Sequence, residues 1–345
     1  MKARIERLRA SLQEPLLVTN PVSILYLTGF ESSNAALLVE PDQLRLFSDF
    51  RYAAAAREVA EVEFSMTRRA LLEDLAGRLA GRIGFESVAL SYAGYETLVA
   101  GGLELVPCSG LVERLRAVKD ESELGAIRRA AAITDTVYER IAEERLIGRT
   151  ERELAWRMEQ LFREHGADEL AFPVIVAAGR NGALPHAQPG NCVIEPGQAV
   201  VIDAGCTVEG YCSDCTRTFA TGPLPKQLEE AYAVCLEAQR AGLRSVRAGV
   251  SGFAADASAR EVVVAAGLGE AFGHGLGHGV GLVVHEAPLL SQESDDELAA
   301  GNVVTIEPGL YAEGIGGVRI EDLVIVGEED PEVLSSFTKE LVTVD

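Results

Sequence analysis

Short apolar runs alternate with stretches of helical period over the first third of the chain. Leu16 to Thr19, Ala35 to Glu40 and Leu44 to Ser48 read as strands, with Pro41-Asp42 turning between the last two. Arg51 to Ala60 and Ala70 to Arg82 carry apolar residues at helical spacing, so this segment predicts a small α/β domain. No catalytic cluster stands out in it. From Val118 to Glu144 runs a long, strongly charged helical pattern that opens at Lys119-Asp120-Glu121-Ser122. The domain boundary is placed there, giving domains 1-117 and 118-345. Beyond it, helical patterns at Glu151 to His165, at Leu228 to Val246 and after Ser251 are interleaved with β-rich stretches at 173–178, 199–220, 302–312 and 316–327. That mixture predicts an α+β second domain. There is no internal repeat, and the one low-complexity tract, Ala53 to Ala56, is too short to matter.

Composition agrees with two globular domains. The 345 residues exceed what one core usually organises, and 48% hydrophobic with 24% charged residues is incompatible with disorder. Against 53 acidic side chains stand 31 basic ones, a net charge of −22 with no basic patch, which argues against nucleic acid and anionic membrane surfaces as partners. Met1 to Leu17 is studded with charges and lacks the apolar core of a signal peptide. No apolar run reaches the ~18 to 20 residues of a membrane span. A cytoplasmic location is expected, with the six cysteines as free thiols.

The chemistry gathers in the second domain. Four of the five histidines, His186, His274, His278 and His285, fall there within 100 residues. Phe272-Gly273-His274-Gly275-Leu276-Gly277-His278-Gly279-Val280-Gly281 has glycine at every second position, and five glycines would cost a helix roughly 4 to 5 kcal/mol relative to alanine. The segment therefore reads as extended, with His274, Leu276 and His278 on one face and the glycines leaving the other open to a close backbone. Asp203 interrupts the apolar run Val200 to Ala204 and needs a neutralising partner. Asp214 lies on the returning strand, where it is expected to face Asp203, and two facing carboxylates require a proton or cation between them. Glu307 ends the apolar strand Val303 to Ile306, and Glu321 repeats the device fourteen residues later, with Arg319 on its face. Four carboxylates and one imidazole suit manganese, cobalt or zinc, and are too many for one structural zinc. They match two ions ~3.5 to 4 Å apart that share bridging carboxylates.

Two competing readings fail. Cys212 and Cys215 are an odd number apart on a predicted strand, face opposite ways and have no second Cys-x-x-Cys, which argues against a zinc knuckle or redox motif. Ser213 has no nucleophile elbow around it.

The order Asp203, Asp214, His278, Glu307, Glu321, with His278-Gly-x-Gly-Leu and Val284-His285-Glu286, resembles the "pita-bread" metallopeptidase family of Xaa-Pro aminopeptidases, prolidases and methionine aminopeptidases. Asn181 to His186 is similar to that family's substrate-side histidine motif. Gly29 to Asn34 and Asp49-Phe50-Arg51-Tyr52 resemble the N-terminal domain of its proline-directed branch, a domain that methionine aminopeptidases usually lack. The resemblance implies a creatinase-like α/β domain, serving substrate access and dimer contacts, ahead of a pita-bread catalytic domain. It also implies two metal ions, manganese before cobalt or zinc. Asp203 would hold one ion, His278 and Glu307 the other, and Asp214 and Glu321 would bridge them. A water between the ions would attack the carbonyl before proline, with Glu307 as proton shuttle and His285 stabilising the tetrahedral intermediate. His186, His274 and Arg319 would line the substrate pocket.

Prolidases of this family commonly carry an arginine just after the Val-His-Glu-x-Pro motif, where it can hold a dipeptide's carboxylate. Here the sequence continues Ala287-Pro288-Leu289-Leu290. The expected activity is therefore an aminopeptidase on peptides with proline in second position, with a dipeptide-restricted prolidase as the alternative and a homodimer as the expected assembly. An arginine from a partner subunit's N-terminal domain would restore the dipeptide reading. A metal-free peptide-binding module and a metal-free hydrolase of the creatinase type are disfavoured, because all five ligands are present.

Overall fold

The computed structural model describes residues Met1 to Asp345, in two compact units, Met1–Arg116 and Ala117–Asp345. The first is α/β. In chain order it comprises α1 (Lys2–Ser11), β1 (Leu16–Val18), α2 (Pro21–Thr28), β2 (Ala35–Val39), β3 (Leu44–Ser48), α3 (Ala53–Glu58), β4 (Glu63–Met66), α4 (Leu71–Ala76), β5 (Gly81–Glu86), α5 (Tyr92–Ala100), β6 (Leu103–Cys108) and α6 (Leu111–Ala117). The strands form one sheet in the order β4-β3-β2-β1-β5-β6, with the β2–β3 hairpin antiparallel and β1, β5 and β6 mutually parallel. Leu17, Leu38, Phe47, Leu75, Ile83 and Leu98 build its core.

Two helical expectations here need correction. Arg51 to Ala60 shortens to α3. Ala70 to Arg82 stops at Ala76, because Gly77 caps α4 and Gly81, at φ +87°, opens β5 instead. Leu79 and Ile83 kept the apolar spacing running across that break. Helices α1 and α2 were also unread. α2 is nonetheless locally encoded: the Asn20 side chain accepts the Val22 N–H at 3.0 Å, Pro21 occupies the first turn, and Gly29 ends the helix at φ +73°.

The second unit is α+β. It runs α7 (Glu121–Glu143), α8 (Glu151–Glu164), β7 (Glu169–Leu170), β8 (Ile175–Ala178), β9 (Ala199–Ala204), β10 (Cys206–Val208), β11 (Tyr211–Cys212), β12 (Cys215–Ala220), α9 (Lys226–Ser245), α10 (Gly252–Ala265), β13 (Gly277–Gly279), β14 (Glu286–Leu290), β15 (Val303–Ile306), β16 (Gly309–Ala312), β17 (Gly316–Arg319), β18 (Asp322–Ile325), β19 (Glu332–Val333) and β20 (Val342–Thr343). α7 and α8 each begin with a reciprocal capping box, Asp120 with Glu123 and Thr150 with Glu153. Tyr138, Leu154, Met158 and Phe162 of this helix pair pack on Val176, Val200, Ile202 and Phe219 of β8, β9 and β12. Ala238, Ala255, Ala259 and Val263 of α9 and α10 share a second core with Val304, Ile306, Val318 and Ile320. Each helix pair thus covers its own set of strands. Polar side chains such as Asp203, Thr216 and Arg319 are left to meet one another where the strand sets meet. The β-rich stretch 302–312 breaks after β15 at Glu307, and 316–327 breaks between β17 and β18 at Glu321. No helix is long and apolar enough to cross a membrane.

Candidate metal centre

Strand ends deliver the acidic residues to one place. Asp203 sits near the end of β9, Asp214 immediately before β12, His278 within β13, Glu307 just past β15 and Glu321 between β17 and β18. All five line a single cavity of about 800 Å³. One ligand atom from each of Asp214, His278 and Glu321 falls within a set spanning at most 4.8 Å, the separation expected of donors around one ion. His278 Nε2 lies 3.2 Å from Glu307 Oε1 and 3.7 Å from Asp214 Oδ2.

The placement departs from expectation in two respects. Asp203 pairs across the β9–β12 ladder with Thr216, so Asp214 is not opposite it. Ser213 is the reason: its backbone N–H donates to the Cys206 carbonyl at 2.8 Å and its hydroxyl accepts the Cys206 N–H at 3.0 Å, which holds Asp214 just ahead of the ladder. Nor is His274 to His278 one continuous strand. Only Gly277–Gly279 is, and Leu276 turns into the apolar core while His274 and His278 face the cavity. The glycines do admit neighbouring backbone. A Cβ on Gly277 would collide with the Thr305 carbonyl, and one on Gly279 with that of Ala287.

A web of hydrogen bonds orients the carboxylates. The Thr216 hydroxyl donates to Glu321 Oε2 at 2.7 Å and accepts from Arg319 Nε at 3.0 Å. Arg319 Nη2 donates to Asp203 Oδ2 at 2.6 Å, and Nη1 donates to the Tyr311 hydroxyl at 2.9 Å and the Pro185 carbonyl at 3.2 Å. Thr305 donates to Glu307 Oε1 at 3.1 Å and accepts the His278 N–H at 3.1 Å. Thr216, Thr305 and Tyr311 were missed in the sequence. Thr216 had a signal, since period 2 puts it on the face of Asp214. Arg319 lines the cavity as expected, and its buried guanidinium also donates to Asp203, Thr216, Tyr311 and Pro185.

The electrostatics call for a cation. Burial, followed by the charges of Glu321 and Asp203, pushes the Asp214 carboxyl well above its ordinary range; burial and then Glu307 and Asp203 do the same to Glu321. Burial also raises Asp203, partly offset by Arg319. Burial opposes ionisation of Glu307, but the hydrogen bond and charge of His278, helped by His274 and Arg319, hold it down to about 2. Asp203 Oδ1 is buried without any hydrogen-bond partner. An orphaned carboxylate oxygen beside carboxyls that cannot all ionise is what a divalent ion would satisfy. The donor set fits a metal.

The remaining histidines ring the cavity. His274 Nδ1 donates to the Gly275 carbonyl at 2.7 Å, leaving Nε2 to accept the Tyr311 hydroxyl at 3.0 Å, and burial lowers the pKa of this histidine. The His285 ring packs edge-on against His278 at 4.2 Å between centroids. His186 and the half-exposed Leu289 also line the cavity.

Residues 125–328 match Metallopeptidase family M24, and residues 4–118 match the Creatinase/Prolidase N-terminal domain. The chain belongs to metallopeptidase family M24. Its architecture is accordingly a creatinase-like α/β domain followed by an α+β pita-bread catalytic domain. Among M24 relatives, the chain is 34% identical over 337 residues to a Xaa-Pro dipeptidase of Pyrococcus horikoshii, covering 96% of this chain and 95% of that one. A solved structure described as Xaa-Pro dipeptidase from Bacillus anthracis superposes with a TM-score of 0.96 at 38% identity, covering 99% of each chain. An X-Pro aminopeptidase from Thermotoga maritima gives a TM-score of 0.89 at 33% identity, covering 99% of this chain and 100% of that one.

Proposed function

We propose that this M24 metallopeptidase hydrolyses the Xaa-Pro bond of dipeptides. The convergence of Asp214, His278 and Glu321 donors within 4.8 Å, in a cavity also lined by Asp203 and Glu307, carries the reading. The dipeptidases among its relatives favour dipeptides over the longer peptides expected from the sequence. Asp203, Asp214, His278, Glu307 and Glu321 would hold two divalent ions, and a set of four carboxylates with one imidazole favours manganese. Such ions supply Lewis-acid chemistry, acidifying water and polarising a carbonyl oxygen.

The other roles belong to side chains. An amide anion is a poor leaving group, so proline leaves the tetrahedral intermediate only once a proton is delivered to its nitrogen. Glu307, at the cavity wall between His278 and Thr305, is assigned to take the proton of the attacking water and return it there. His285 is assigned to donate to the oxygen that gains negative charge in the tetrahedral intermediate. His186 and His274 bound the substrate's space. Arg319 lines the same cavity and fixes Asp203.

One observation favours a second reading, the aminopeptidase. Leu289 lines the cavity just after Val284 to Pro288, where prolidases commonly carry an arginine, and the cavity's one arginine, Arg319, donates to Asp203. In the expected homodimer, a partner's N-terminal domain would have to supply such an arginine. Turnover of Ala-Pro against Ala-Pro-containing tripeptides and longer peptides, with manganese, tests the choice. Ala-Pro should be the better substrate by kcat/KM; longer peptides cleaved as well or better would establish the aminopeptidase reading, and no cleavage of either would reject both.

A further inference from the structure

Glu151 opens α8, and although it is completely buried no cation pairs with it. Three N–H donors satisfy it instead. Oε1 accepts from the Ala178 N–H at 2.8 Å and from Asn181 Nδ2 at 2.9 Å, while Oε2 accepts from the Gly190 N–H at 3.0 Å. The helix does not need Glu151 as a cap, because Thr150 and Glu153 already form the capping box.

Ala178 and Gly190 are the two ends of one loop. Between them lie Pro185, His186, Ala187, Gln188 and Pro189, all facing the catalytic cavity. The backbone of α8 reinforces the closure, with the Arg152 N–H donating to the Gly190 carbonyl at 3.0 Å and the Glu151 N–H to that of Cys192 at 3.0 Å. On its other side the loop rests on β17. A Cβ on Gly317 would collide with the Gly182 carbonyl, and the Pro185 carbonyl accepts from Arg319 at 3.2 Å. One carboxylate therefore ties the loop's departure to its return, and the strand that carries Arg319 sets its height over the cavity.

We propose that Glu151 is a positioning residue that acts through this loop to hold His186 against the substrate. The inference rests on the Xaa-Pro reading for the identity of that substrate, but not for the clasp itself. A carboxylate is needed because both oxygens must accept, at opposite ends of the loop. A glutamine of the same shape would turn an N–H₂ towards one of the donors and lose that end.

The test is a cycle of Glu151→Gln, His186→Ala and the double variant, assayed on Ala-Pro with manganese, together with amide hydrogen exchange. Glu151→Gln should raise KM roughly tenfold, by misplacing a substrate-facing wall, and lower kcat by less. In the His186→Ala background the same change should cost under about twofold, because its route of action is gone. Exchange of amides 179–189 should accelerate in Glu151→Gln while amides of α9 and α10 keep their rates. Effects that multiply in full in the double variant, or unchanged exchange of the loop, would overturn the proposal. If Glu151→Gln does not accumulate as folded protein, Asn181→Ala removes only the middle contact and should show the same signs at smaller size; unchanged KM and exchange there would also overturn it. Failure of the wild-type enzyme to cleave Ala-Pro, with the exchange result intact, would count against the substrate reading and leave the clasp standing.

Discussion

Arg319 and Asp214 act on the centre in opposite ways, and substitutions separate them. Arg319 reaches Asp203, Thr216 and Tyr311 from the three nitrogens of one planar group. A lysine has one nitrogen and cannot span them. Arg319→Lys should leave Asp203 free to turn and weaken metal affinity by roughly 10- to 100-fold, as loss of groups that orient ligands does, measured by competition with a chelator. Asp214→Asn removes a carboxylate proposed to hold the metal, so metal content and activity should collapse. Yet the metal-free protein should gain from it, because a neutral side chain replaces a buried acid crowded by Glu321 and Asp203. The thermal midpoints should therefore cross: the variant melts above wild type without metal and below it with manganese. A variant lower in both states would refute this account of the repulsion.

At the level of elements, close approach of strands sets the tolerance. Gly277 lies where β13 meets the Thr305 backbone, and a methyl there has no room. Gly277→Ala should cost about 1 to 3 kcal/mol in chemical denaturation and weaken metal binding as His278 moves with its strand. In the first unit, the turn after β3 depends on Asp49, which accepts from Arg51 through its backbone and guanidinium and from Asn34 Nδ2 at 2.6 Å. The hydrogen bond from Arg51 is the main reason this carboxyl stays below its ordinary 3.8. A depressed pKa stabilises the fold above the unfolded value and ceases to do so as pH falls through the folded one. Asp49→Asn should thus be less stable than wild type at pH 7, with the gap closing as pH drops below about 4. A gap constant with pH would show that the ion pair is not its source.

These elements also show why part of the molecule was legible and part was not. The β2–β3 hairpin, α7 and α8 declared themselves because hydrophobic period, caps and turn residues agree. The strand-end carboxylates did so because an acid inside an apolar run is costly without a partner. Helix α4 was read too long because Leu79 and Ile83 sustain a helical spacing across Gly77 and Gly81. The mutual placement of Asp203 and Asp214 was misjudged by counting along a hairpin whose ladder Ser213 interrupts. The groups that hold Arg319 were not legible, because they come from β9, β12 and β16 and from Pro185, none of them adjacent in sequence. Local rules reached the acidic residues and histidines that line the cavity, and only the fold could say what holds them.

For the molecule as a whole, metal and fold are linked by mass action. Chelator-treated protein should melt at a lower temperature than the manganese form, and each bound ion should add about 2.7 kcal/mol of stability at 100 times its dissociation constant. A midpoint indifferent to metal would mean that the centre forms no part of the stable fold. The raised carboxyls of Asp214 and Glu321 add a chemical condition to that linkage. Where these carboxyls hold protons, a cation cannot bind by addition alone, because it must displace them into the solvent. Loading is then an exchange reaction. Its affinity should climb with pH, and its calorimetric heat should vary with the ionisation enthalpy of the buffer, so that at a fixed supply of metal the acidity of the surroundings would shift the peptidase between charged and idle.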